Sequence, residues 1–171
     1  MEQEKYTKFK IFMNNLLDEI DTKKTHLQLR DEYLKGYTLV YNLLTMREGY
    51  SYSSQMYEFY KNIINDYSVI IYNKLKTIDD INLANELSLE YNKYFSFSNH
   101  IIRIMKRLED FYILQHDKEL LLNISKNLFK QNVFTKINLD AHMNESILKI
   151  IQDMNNFNGK NIPNVNFVIE I

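Results

Sequence analysis

A metal centre or an acid–base pair needs titratable side chains at matched spacings. The four histidines, His26, His100, His116 and His142, fall in separate segments, and none belongs to an H-E-x-x-H pair. The run "DEID", from Asp18 to Asp21, gathers carboxylates but lacks the glycine turn that folds an acidic loop around calcium. With no cysteine there is no thiol nucleophile, thiolate zinc site or disulfide. These features argue against an enzyme, and no metal or cofactor is expected. What the chain does space regularly is tyrosine. In "RDEYLKGYTLVYNLL", residues 30 to 44, Tyr33, Tyr37 and Tyr41 stand one helical turn apart. The chemistry open to such a series is recognition, because a phenol offers large, rigid contact area with a hydrogen-bonding tip and is enriched among the residues that dominate interface energies.

The element that positions these rings is a helix, and advancing ~100° per residue around it gives two apolar faces. Leu39, Val40 and Leu43 fall on one side, and Tyr33, Leu34, Tyr37, Tyr41 and Leu44 on another. A peripheral helix normally has one apolar stripe about 100° wide or a little more. Either the helix is central and buried all round, or one face packs the protein and the other docks a partner. Periodicity does not separate the two.

The remaining chain also reads as helix. In 171 residues there are only three glycines and one proline, so breakers are scarce. A first helix is expected over 5–22, on Phe9, Phe12, Leu16 and Ile20. Thr25 is the expected N-cap of the second, which runs to about Met46 and stops at "REGY", where Gly49 would take the left-handed cap. "SYSSQMYEFYKNIINDYSVIIYNKLK" is the third. A fourth opens through Thr77 or Asp79, and a fifth through Ser98, with Phe97 stapled to its first turns. The fifth carries a core stripe of Phe97, Ile101, Ile104, Leu108 and Phe111, with Met105 and Tyr112 beside it and Arg103, Lys106, Arg107 and Asp110 on the reverse; Tyr112 lies at the stripe's edge. Further helical segments are expected over 120–129 and 145–154, and "NFVIEI" alternates too ambiguously to assign.

Composition narrows the class. An apolar fraction of 45% and a charged fraction of 25% are those of a globular domain, and the length suits one domain. With 21 basic and 22 acidic residues, no overall field favours nucleic acid or a charged membrane. No apolar run approaches a membrane span, and "MEQEKYTKFK" is too polar for a signal peptide, so an intracellular protein, cytoplasmic or nuclear, is expected. The sequons at Asn123 and Asn144 are then chance matches.

In this order and spacing, five stretches resemble the N-terminal domain of cullins, the scaffolds of multisubunit ubiquitin ligases. They are "KIFMNNLLDEI", with Phe12 where cullins have tryptophan; "YLKGYTLVYNLL", where an aromatic is followed at four-residue steps by two tyrosines; "GYSYSSQMYEFYKNIINDY"; "YFSFSNHIIRIMKRLEDFYI"; and "ESILKIIQDMNNFNGKNIPN". The resemblance spans roughly the whole chain and rests on collinearity. It implies an all-α, elongated antiparallel bundle: one domain over 1–171, with a five-helix cullin repeat over about 1–114 and the opening of a second over about 115–171. It further implies that the second and fifth helices bind a BTB/POZ-fold ubiquitin-ligase adaptor through Tyr33, Leu34, Tyr37, Tyr41 and Tyr112. "YTLVYN" leans toward the SCF adaptor, with a BTB protein second. Two departures stand out: "RLEDFY" replaces the usual fifth-helix motif, and Gly36 stands where cullins have leucine.

Read as a complete product, the chain would lack the region that holds the RING-box protein. It could then occupy an adaptor and compete with full-length host cullin, a mimicry that suits the AT-rich codon usage implied by its asparagine, isoleucine, lysine and tyrosine content and a virus or intracellular parasite as source. The alternatives are a fragment of an ordinary cullin scaffold and an unrelated helical interaction bundle, such as a viral apoptosis-regulator-like fold with a peptide groove.

Overall fold

The computed structural model describes residues 2–22, 24–45, 49–78 and 80–139. The helix expected over 145–154, the "NFVIEI" ending and His142 lie outside them, as does most of the expected second repeat. The described chain is all-helical, with no strand. Its elements are α1 (Glu2–Asp18), α2 (His26–Leu44), α3 (Gly49–Leu75), α4 (Asp80–Ile104), the short α5 (Lys106–Leu108), α6 (Leu121–Phe129) and α7 (Thr135–Leu139).

α3 is the axis of the bundle. Met56, Tyr60, Ile63, Ile64, Tyr67, Ile71 and Leu75 recur every three or four residues and are all buried, and α3 packs against α1, α2, α4 and α6. Side-chain contacts give the directions. Tyr6 meets Tyr52 and Phe9 meets Phe59, so α1 and α3 run the same way. Lys74 meets Glu86 and Tyr67 meets Phe97, so α4 runs opposite to α3. Tyr60 donates to the Leu121 carbonyl and Asn132 to Ser68, which lays the α6 region along α3 in the same sense. The core is one contiguous cluster, and residues from Leu121 to Ile137 belong to it together with those of α1 to α4.

Two helix boundaries were set by local chemistry. Thr25 caps α2 as expected: its hydroxyl accepts the Gln28 N–H at 3.3 Å, and the Gln28 side chain accepts the Thr25 N–H at 2.8 Å, a reciprocal box that satisfies two otherwise orphaned donors. At its other end α2 does not use Gly49, which opens α3 instead. Thr45 closes the helix, its N–H and hydroxyl both donating to the Tyr41 carbonyl. Ser98 does not start a helix either. It is fully buried inside α4, its hydroxyl without a partner, because neither glycine nor proline interrupts 80–104 and the apolar repeat of Leu83, Leu87, Tyr94, Phe97, Ile101 and Ile104 runs straight through it. The expected fourth and fifth helices are therefore largely one.

The break falls at Met105 instead. Beyond it α5 passes into a wide π turn at Glu109–Ile113 and a 3-10 turn at Leu114–His116, and Asp117 takes the left-handed conformation at φ 49°. Aspartate is among the few residues besides glycine that enter this region readily.

A charge network braces one end. Lys93 contacts Asp21 at 2.6 Å and Glu90 at 3.5 Å, and Lys74 contacts Glu90 at 2.6 Å. Glu90 is buried, so these lysines supply the compensation that a buried carboxylate requires, and they tie α3, α4 and the turn after α1 together. The hydrogen bond from Lys93 holds the Asp21 carboxyl below its ordinary range.

Candidate docking surface

α2 touches the bundle at Gly36, Val40 and Leu43, all buried. Turning from Gly36 at ~100° per residue, Tyr33 and Leu44 lie about 60–80° away, Tyr37 about 100°, Tyr41 about 140° and Leu34 about 160°. Exposure climbs along the same arc: Tyr33 and Tyr37 are half-buried, Tyr41 is 42% exposed, Leu34 52% and Leu27 62%. The two apolar faces of the sequence are thus one continuous arc, seated in the core at one edge and open to solvent at the other.

Gly36 makes the inner edge possible. A Cβ there would stand 2.7 Å from the Phe12 ring and 2.8 Å from an Ile104 methyl, so α1, α2 and α4 meet at a point where only glycine fits without displacement. The helix-propensity cost of ~1 kcal/mol is spent on that close approach.

The tyrosines form a ladder, with ring centroids 5.9 Å apart between Tyr33 and Tyr37 and 6.5 Å between Tyr37 and Tyr41. A parallel ladder comes from the next element. Arg103, Arg107 and Phe111 are also spaced by four, and the Arg103 guanidinium lies 5.6 Å from the Tyr33 ring centre while Arg107 lies 5.8 Å from Tyr41 and 4.1 Å from Phe111. Contacts of Glu32 with His100, Gly36 with Ile104 and Tyr41 with Arg107 follow one order, so α2 and α4 run in the same sense, and the two arginines, four residues apart, reach rings eight residues apart. Each cation–aromatic contact is worth roughly 0.5–1 kcal/mol at an exposed site. Among the described residues, neither arginine has a carboxylate within ion-pair distance and the three hydroxyls make no hydrogen bond.

Tyr112 does not join this strip. It is buried at 4% exposure, edge-on to Tyr57 and stacked near His116, with Lys118 over its ring. Phe111, which the apolar spacing places in the core, is 48% exposed. The π turn causes the exchange. Bonding at i→i+5 puts an extra residue in the turn and slows the rotation per residue, so Ile113 swings fully into the core and Phe111 swings out. Arg103 and Arg107, placed on the reverse of the core stripe by the sequence, reach across to the tyrosines. Their four-residue step in register with Phe111 was the signal available.

Below the strip, Lys24 bridges Glu19 at 2.9 Å and Glu32 at 2.6 Å, and Glu32 lies 3.9 Å from His100. Burial lowers the His100 pKa, opposed by Glu32 and reinforced by Lys24 and Arg103, so the imidazole is neutral near pH 7 and its buried Nε2 has no hydrogen-bond partner. No group of three histidine, aspartate or glutamate side chains stands close enough to hold a metal among the described residues. No described helix is long and apolar enough to cross a membrane.

No protein-family model, curated protein or solved structure matches the chain.

Proposed function

We propose that this chain is a non-catalytic, cullin-like interaction protein that docks a BTB/POZ-fold ubiquitin-ligase adaptor on the strip between α2 and residues 103–111. The observation that carries the reading is the open half of the α2 arc. Tyr41 and Leu34 are positioned by the core through Gly36, Val40 and Leu43, yet the fold leaves them exposed, with Tyr41 beside the Arg107 that also lies on Phe111. Large aromatic and arginine side chains in one patch have the composition of an interface centre. The choice of adaptor rests on the collinear resemblance to cullins, which favours the SCF adaptor and then a BTB protein. In this reading Phe111 takes the contact first assigned to Tyr112.

Calorimetric titration of the chain against the SCF adaptor, elongin C and a BTB-domain protein tests this. One-to-one saturable binding to one of them is expected. Tyr41→Ala should weaken it by about 2 kcal/mol, roughly 30-fold, with an unchanged thermal melt. Absence of binding to all three well above micromolar concentration, by calorimetry and by a second method, rejects the adaptor reading.

A further inference from the structure

We infer that the segment received by this strip is an acidic amphipathic stretch of protein, with carboxylates flanking apolar side chains. The inference rests on the docking reading and specifies the partner's chemistry. Lys24, Lys74, Lys93 and Lys106 each meet a carboxylate of the chain, whereas Arg103 and Arg107 meet only aromatic rings among the described residues. A guanidinium over a ring retains N–H donors for a second acceptor, and its planar fork suits a carboxylate in particular. Arg107 is half-buried, so its charge is partly desolvated and gains from a counter-ion.

The apolar members of the strip narrow the occupant further. Tyr37 and Leu34 share the outer arc of α2 with Tyr41, which Arg107 touches, and call for apolar side chains on the same partner face. Aromatic rings with arginines also serve single-stranded nucleic acid, but that use needs open ring faces for bases. Here the faces are engaged by neighbouring rings and guanidiniums. A second copy packed on the same strip would bring arginine against arginine.

The test uses the full chain and a fluorescent helical peptide that bears leucines on one face and glutamates at four-residue steps. Two counterparts carry glutamine or lysine in place of glutamate, and a single-stranded oligothymidylate serves as the nucleic-acid probe. Saturable binding of the glutamate peptide is expected, weakening with salt, at least tenfold tighter than the glutamine peptide and without detectable binding of the lysine one. The Arg103→Gln/Arg107→Gln double variant should lose at least tenfold in affinity with an unchanged circular-dichroism melt, and Arg107→Lys, which keeps the charge, should lose less. No binding of the glutamate peptide, equal binding of the glutamine peptide, unchanged affinity in the double variant, or tighter binding of the oligonucleotide would each overturn the inference. Concentration-dependent dimerisation that the peptide does not disrupt would do the same. The adaptor reading is separated by titrating the double variant with whichever adaptor binds the parent. Unchanged adaptor affinity removes the acidic-partner inference alone, whereas peptide binding with no adaptor binding removes the adaptor reading alone.

Discussion

Tyr60 and Tyr94 in the core and Tyr37 and Tyr41 on α2 are the same side chain held by opposite means. The core pair is buried completely, and each hydroxyl is satisfied: Tyr60 contacts the Ser125 hydroxyl at 2.6 Å and donates to the Leu121 carbonyl at 3.1 Å, while Tyr94 donates to the Ser125 carbonyl at 2.9 Å. Burial pushes both phenols well above their ordinary pKa, so they remain donors across the accessible pH range. The α2 pair is held by ring contacts along one helix, and Tyr41 also by Arg107 from another, with hydroxyls that no described residue receives. A buried tyrosine is justified within the chain because every part of it is paired. A tyrosine that the fold orients but leaves half unpaired has contact area to offer another molecule.

That contrast can be broken most severely from the core side. Tyr94→Ala should cost about 3–5 kcal/mol, read as a drop in the urea midpoint, because it removes a fully buried ring packed on Tyr67 and Phe129 and leaves the Ser125 carbonyl without its donor. A loss below about 1 kcal/mol would mean that α6 is not seated on α4 as described. Next in size, Gly36→Leu should cost about 2–3 kcal/mol by driving α2 away from Phe12 and Ile104, again by denaturant titration. An unchanged midpoint would show that the three helices do not meet there. Tyr60→Phe isolates the hydroxyl and should cost about 1–2 kcal/mol, since the ring stays while two buried hydrogen bonds disappear.

On the strip the expected stability effects are smaller. Tyr41→Ala should shift the unfolding free energy by less than about 1 kcal/mol, because the ring is surface-exposed and held mainly by cation–aromatic and ring contacts. A larger loss would move Tyr41 into the same category as Tyr94. His100 supplies a pH check. Its folded pKa lies below the unfolded value of about 6.5, so the unfolded chain binds the proton more readily and stability falls as pH drops below that value. His100→Gln should lessen this acid sensitivity while changing little above pH 7, and melts at pH 7.5 and 5.5 read the difference.

Sequence patterning made some of this legible for identifiable reasons. The α2 arc follows from helical periodicity, which tertiary packing did not alter, and the Thr25 cap follows from a local hydrogen bond between residues three apart. The false start at Ser98 arose because a serine before an apolar run looks the same whether it caps a helix or lies buried inside one. Only the packing against α3 decides. The exchange of Phe111 for Tyr112 was hidden for a different reason. A π turn leaves no residue signature in "EDFYI"; only its wider rotation sets Tyr112 and Ile113 inward and Phe111 outward.

The π turn also stores slack as chain length. Substituting Phe111 changes what the strip displays, whereas a one-residue deletion at 109 or 110 would be absorbed by a return to ordinary helical pitch, with Tyr112, Ile113 and the positions after them kept on their present faces. At this segment, the surface presented to a partner would be altered more by a point substitution than by loss of the extra residue.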